Sequence, residues 1–191
     1  MSDRFTQLVD SQINLRGAAS EGARMVAWLQ ARGIIGSGRS RADFYQEEFG
    51  FVPDLDADNM VYPPGPNFLD AYEESHPGDK PDGNWLEVII QRRVYLPGGS
   101  FEILCPECGR DQVKLGDAWS ETIDAWYQGW PKNLICAACG HEAPLSDWRF
   151  DPPWGFGNLG FSFESWSIRP EFIEAFEKEL GRPLSVVKLW L

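Results

Sequence analysis

Four cysteines carry the clearest chemical signal in the chain. They come as two pairs, "CPECG" with Cys105 and Cys108 and "CAACG" with Cys136 and Cys139, and each pair is followed by glycine. Two residues between thiolates let both sulfurs converge on one ion at about 2.3 Å, and two such knuckles complete a tetrahedral all-thiolate set. The glycine after each second cysteine lets the backbone turn tightly around the metal. The spacing therefore predicts a structural Zn²⁺ site with Cys105, Cys108, Cys136 and Cys139 as ligands. His141, two residues beyond Cys139, is a conceivable substitute ligand, but four cysteines already fill the set. Other uses of these cysteines fit less well. A redox C-x-x-C comes once, in a βαβ context. Disulfides suit an oxidising compartment. An iron–sulfur cluster would accept four thiolates, yet nothing else in the chain suggests redox chemistry. A closed four-cysteine site has no open position for water, so it supplies folding energy and no catalysis.

The elements that must hold the knuckles are legible in part. "FEIL" and "NLI" stand before the two pairs as short strands of a zinc ribbon. The 27 residues between Cys108 and Cys136 exceed the compact pattern, and "DAWSETIDAWYQGW" fills that gap as a helix capped by Asp117. Its Trp119, Ile123 and Trp126 recur at core spacing. Downstream, "LGFSFESWSI" reads as a strand. "RPEFIEAFEKELG" reads as a helix with Pro170 in its first turn and Gly181 as its stop, and "PLSVVKLWL" as a final strand. Upstream, "SEGARMVAWLQARGII" reads as an amphipathic helix ended by Gly33. A helix is also expected over "DRFTQLVDSQINL", and a short one over "SRADFYQEEFG" with Ser40 as N-cap. Residues 51–84 are rich in Pro, Gly and Asp, with a short helix entered through Pro66. "WLEVIIQRRVYL" reads as one strand. The predicted fold is α+β. An N-terminal α+β part (1–100) supplies helices and a sheet on which a C-terminal β-α-β part (151–191) packs, both around one sheet, and a zinc-ribbon module (101–150) is inserted between them.

Several motifs lack the context their chemistry needs. Gly155, Gly157 and Gly160 match G-x-G-x-x-G, but "DPPW" precedes them and a strand follows. A dinucleotide loop requires a strand before and a helix after. The glycines instead suit close backbone packing beside bulky rings. "DLDADN" at 54–59 starts like a calcium loop, but Asn59 stands where Gly is needed and Gly65 where Glu is needed. Arg39 and Arg41 beside glycines form at most an anion nest, with a surface loop as the plainer reading. No Lys follows a Gly, so a Walker A loop is absent. The only histidines are His76 and His141, and Asp54, Asp56, Glu73 and Glu74 are carboxylates without a supporting pattern. Nothing positive argues for an enzyme, and no catalytic residue is assigned.

Composition bounds the rest. Hydrophobic content of 43% with nine Trp marks a globular chain. The N-terminus lacks a secretory apolar region and no stretch suits a membrane span, which predicts a cytoplasmic protein. Net charge is −12, concentrated away from the first 50 residues, where acids and bases balance at six each. Such a field repels nucleic acid and attracts a basic protein. The ribbon segment itself carries eight acids against four bases, which weighs against the nucleic-acid binding common among zinc ribbons. A protein-interaction module, in one version an acidic antagonist of a basic partner, is the function expected. A nucleic-acid-binding ribbon, or an enzyme with purely structural zinc, is the alternative.

The run "FGNLGFSFESWSIRPEFIEAFEKELG" resembles the ending of a family of bacterial zinc-ribbon proteins, and the paired knuckles and "YPPGPNF" are similar too. The resemblance covers residues 60–191 in patches. It implies a helix starting near a proline and a closing hydrophobic strand, but no activity and no catalytic residue. Some relatives carry an automatic sugar-transporter ATPase label.

Overall fold

The computed structural model describes residues 4–50, 60–73 and 84–190. The elements in chain order are β1 (Arg4–Asp10), α1 (Leu15–Ala31), β2 (Arg39–Ser40), α2 (Arg41–Phe49), β3 (Met60–Tyr62), β4 (Trp85–Ile89), β5 (Arg93–Tyr95) and β6 (Glu102–Leu104). Then come α3 (Ala118–Tyr127), β7 (Leu134–Ile135), β8 (Glu142–Ala143), β9 (Arg149–Asp151), β10 (Gly155–Gly157), β11 (Leu159–Glu164), α4 (Pro170–Leu180) and β12 (Ser185–Trp190). A six-stranded antiparallel sheet runs β12-β1-β11-β4-β3-β2, and three two-stranded sheets pair β10 with β5, β6 with β9 and β7 with β8. The chain is thus mixed α and β, with four α-helices among the described residues.

The first element corrects an expectation. Residues 4–10 form a strand, not a helix. Phe5, Leu8 and Val9 mimic helical spacing, but β1 lies between β11 and β12 and is covered on both sides. Thr6 through Asp10 are all buried. A strand buried on both faces does not alternate, so its period is hidden. Its polar residues are satisfied in place. Thr6 Oγ1 donates to the Trp166 carbonyl at 2.8 Å, and Gln7 Nε2 donates to Ser162 Oγ at 3.3 Å. At the end of β1, Asp10 Oδ1 accepts from the amides of Gln12 and Ile13, and its Oδ2 accepts from Arg182 Nε at 2.7 Å.

One face of the sheet carries the helices. Met25 and Leu29 of α1 and Phe172, Phe176 and Leu180 of α4 pack with Leu8, Leu86, Phe161 and Phe163 in the main core. The caps follow the sequence. Asn14 caps α1 through the Gly17 amide, Ser40 caps α2 through the Asp43 amide, and Gly181 ends α4 in the left-handed region. Between Phe68 and Asp70 the chain makes a single 3₁₀ turn, its cap position held by Asn67. "WLEVIIQRRVYL" is two strands rather than one. β4 joins the main sheet, whereas β5 leaves it to pair with β10 across the opposite face. There Val9, Ile89, Tyr95 and Val187 form a small second core.

The glycine triplet explains how β10 and β5 approach the main sheet so closely. A Cβ on Gly155 would meet Val9 Cγ2 at 2.7 Å, one on Gly157 would meet the Asp10 carbonyl oxygen at 2.5 Å, and one on Gly160 would collide with the Tyr95 hydroxyl. Gly160 already lies within β11, so no helix follows the third glycine. The triplet is a packing seam between layers.

Candidate metal centre

Each cysteine pair sits on a tight turn at the end of a short strand. Cys105 follows β6 and Cys136 follows β7. The two turns have one geometry. The Cys105 amide donates to the Arg110 carbonyl at 3.0 Å, and the Gly109 amide to the Cys105 carbonyl at 2.9 Å. In the second turn the Cys136 amide donates to the His141 carbonyl at 2.7 Å, and the Gly140 amide to the Cys136 carbonyl at 2.9 Å. Gly109 and Gly140 both hold left-handed φ, at 69° and 76°, a conformation glycine adopts without a Cβ penalty.

The turns bring all four sulfurs within 4.8 Å of one another. Cys105 Sγ lies 3.8 Å from Cys139 Sγ, and Cys108 Sγ lies 3.6 Å from Cys136 Sγ. Four sulfurs at about 2.3 Å around a tetrahedral ion stand about 3.8 Å apart. The spacing therefore fits one zinc-sized ion and is far longer than a disulfide's bond of about 2.0 Å. Cys105 and Cys136 are buried, and Cys108 and Cys139 face outward.

The electrostatics favour a cation. Burial opposes ionisation of Cys136, but the amides of Cys139 and Ala138 and the neighbouring sulfurs outweigh it and lower the thiol to about 6. The His141 amide favours a thiolate at Cys139, yet desolvation and the three other sulfurs overcome it and raise that thiol to about 12. One sulfur ionises readily while another resists, as expected when four anions would share so small a volume. A divalent ion removes that conflict.

One residue supporting the cluster carries no sequence signal. The Gln112 side chain is buried and bridges the two turns. Its Nε2 donates to the Arg110 carbonyl at 3.0 Å and to Cys136 Sγ at 3.4 Å, and its Oε1 accepts from the Ala137 amide at 2.9 Å. Asp111 beside it accepts from the Ile103 and Val113 amides at 3.1 Å each. Burial raises its carboxyl, but those amides and Lys114 prevail and hold it below its ordinary value. Around the turns, Ile103, Leu134, Leu145, Trp148, Phe150 and Trp154 form a separate core, with Trp119, Ile123 and Trp126 of α3 packed against it. Asp117 takes the cap position of α3 without a side-chain hydrogen bond.

The other candidates do not assemble. His141 contributes backbone to the second turn, and its ring lies 6.5 Å from the Trp148 ring. Arg39 pairs with Glu47, and Arg41 with Glu87 at 3.3 Å, so neither is held open for an anion. Glu73 donates its amide to the Ser167 carbonyl. The "DLDADN" segment with Asp54 and Asp56, and likewise Glu74 and His76, lie outside the described residues. No helix among the described residues is long and apolar enough to cross a membrane. No protein-family model, curated protein or solved structure matches the chain.

Proposed function

We propose that Cys105, Cys108, Cys136 and Cys139 hold a structural zinc ion, and that the protein is a zinc-stabilised interaction module of a bacterial cytoplasm. The observation that carries the metal assignment is the set of four sulfurs at tetrahedral spacing on twin turns. All four ligand positions are then filled from the chain, so the ion orders the ribbon and activates no water. Exposed apolar side chains support the interaction role. Leu115, Tyr127, Trp130 and Ile135 are all solvent-exposed within 21 residues of one another in the cysteine-bearing segment. Aromatic anchors of this kind dominate binding energy at interfaces. With a net charge of −12, long-range attraction selects a basic partner, and an antagonist of a basic protein is the specific form of this reading.

The test is affinity purification of the tagged protein from nuclease-treated host lysate at low and high salt, with metal analysis of the same eluate. A stoichiometric basic protein that dissociates as salt rises, alongside about one zinc per chain, is the expected result. Zinc-loaded protein arriving alone overturns the interaction role. Metal-free protein that stays folded overturns the zinc assignment.

A further inference from the structure

A cleft of about 700 Å³ opens where the segment after α3 faces the ends of β1, β10 and β12. This is within the size range of small-molecule sites. None of the described residues that form the cleft is Asp or Glu, in a chain with 29 acids. It is walled by aromatic rings and by Ser11, Gln12, Asn158 and Ser185.

Arg92 is the cation that this cleft leaves open. Its Nε donates to the Trp126 carbonyl at 2.5 Å, and its guanidinium lies 4.0 Å over the Trp126 ring. No described Asp or Glu pairs with it, so its terminal nitrogens keep the forked geometry that takes a carboxylate or phosphate. Lys132 and Asn133 are already engaged, by Glu121 and Glu142 at 3.1 Å each. Trp130 lines the same cleft and is 67% exposed, the most exposed large apolar side chain described. A bare indole face offers a stacking platform for a flat ring. Trp154, also in the lining, is buried, and its Nε1 finds no acceptor among the described residues.

We propose that this cleft binds a small ligand consisting of a flat ring that bears a carboxylate or phosphate, the ring lying on Trp130 and the anion on Arg92. A cationic ligand would meet the Arg92 charge with no carboxylate to offset it. A wholly apolar ligand would strand the hydroxyl and amide groups of the wall. Gly157 and Asn158 of the G-x-G-x-x-G segment belong to this wall, so the segment that fails as a dinucleotide loop still borders a ligand space. The anion rests on a side chain here, with no helix N-terminus involved.

The test uses ¹⁵N-labelled full-length protein and follows its indole N–H resonances. Two matched probe pairs are titrated: adenosine monophosphate against adenosine, and indole-3-acetate against indole-3-ethanol. The expected result is saturable movement of the Trp130 and Trp154 resonances with at least one anionic probe, weakened about tenfold or more in its neutral counterpart and in Arg92→Gln. Whichever anionic arm binds identifies the ligand as a phosphate or a carboxylate. Trp130→Ala alters an exposed side chain, spares the fold, and weakens the same probe. Three results overturn the proposal: no anionic probe moves these resonances at millimolar concentration, neutral probes bind as well as charged ones, or both variants bind unchanged.

Discussion

Gln112→Ala is the sharpest probe of the metal centre, because it leaves every sulfur in place. Gln112 is 4% exposed and makes three hydrogen bonds that tie one turn to the other. The substitution takes the side-chain acceptor from the Ala137 amide, removes one of the two donors to the Arg110 carbonyl, which keeps the Cys105 amide, and removes an N–H from the Cys136 sulfur. At about 1 kcal/mol per hydrogen bond, and more for a buried group left unpaired, the summed loss is about 2–4 kcal/mol. The part felt by the ion corresponds to about 10–100-fold in affinity, the usual effect of removing a group that hydrogen-bonds a ligand. Competition with a chromophoric chelator measures the affinity, and thermal melting of the zinc-loaded protein measures the stability. Gln112→Glu separates the contributions. It keeps an acceptor for the Ala137 amide but sets a carboxylate against the Cys136 thiolate, so it should lose more affinity than Ala despite its closer shape. Affinity within twofold of the parent for Ala, or tighter binding for Glu, would refute the reasoning.

The remaining predictions concern the metal, a buried phenol and the glycine seam. Cys139→Ser alters an outward-facing cysteine, so packing changes little. It should lose metal and make residues 101–150 protease-sensitive, and unchanged melting with the metal gone would show that the fold does not need it. Chelation should erase hydrogen-exchange protection around the ribbon core before that of β1 and β11, since the two regions have separate cores; a single concerted loss would contradict this. Burial pushes the Tyr95 phenol above its ordinary value, and its hydroxyl has no hydrogen-bond partner among the described residues. The folded state therefore keeps that proton after the unfolded chain releases it. Stability should fall as pH rises past about 10, by up to about 1.4 kcal/mol per pH unit. Tyr95→Phe should flatten that slope in pH-dependent melts while costing little at neutral pH, and an unaltered slope would count against it. Gly160→Ala places a Cβ 2.6 Å from Tyr95 Cζ and should cost about 1–3 kcal/mol by overpacking. Combining it with Tyr95→Phe should recover part of that in denaturant melts, and strict additivity would argue against the contact.

The cysteine cluster was legible because ligand spacing is local: two C-x-x-C-G turns specify both the sulfurs and the left-handed glycines. Helix α4 was legible for the same reason, with proline at its start and glycine at its stop. β1 was not, since its partners lie about 150 to 190 residues away and burial on both faces hides its period. β4 and β5 were merged because nothing local in "IQRR" says that the chain changes sheets there. Gln112 was invisible because its role depends on two turns meeting in space, which no spacing rule encodes. The Arg92 cleft was equally hidden, being assembled from six separate stretches of chain.

The position of β1 also has a consequence in time. The first strand of the chain is hydrogen-bonded on both sides by strands from the C-terminal end, Leu159–Glu164 and Ser185–Trp190. At about 5–20 residues per second of synthesis, β1 leaves the ribosome roughly 10–30 s before either neighbour exists. Throughout that interval a segment with two unpaired edges, and with Leu8 and Val9 uncovered, must be kept from other chains. The ribbon, closed by turns within one contiguous segment, can form meanwhile. Assembly of the main sheet is then expected to be a late step with high contact order, and a chain arrested before residue 159 would hold its metal turns and lack its sheet.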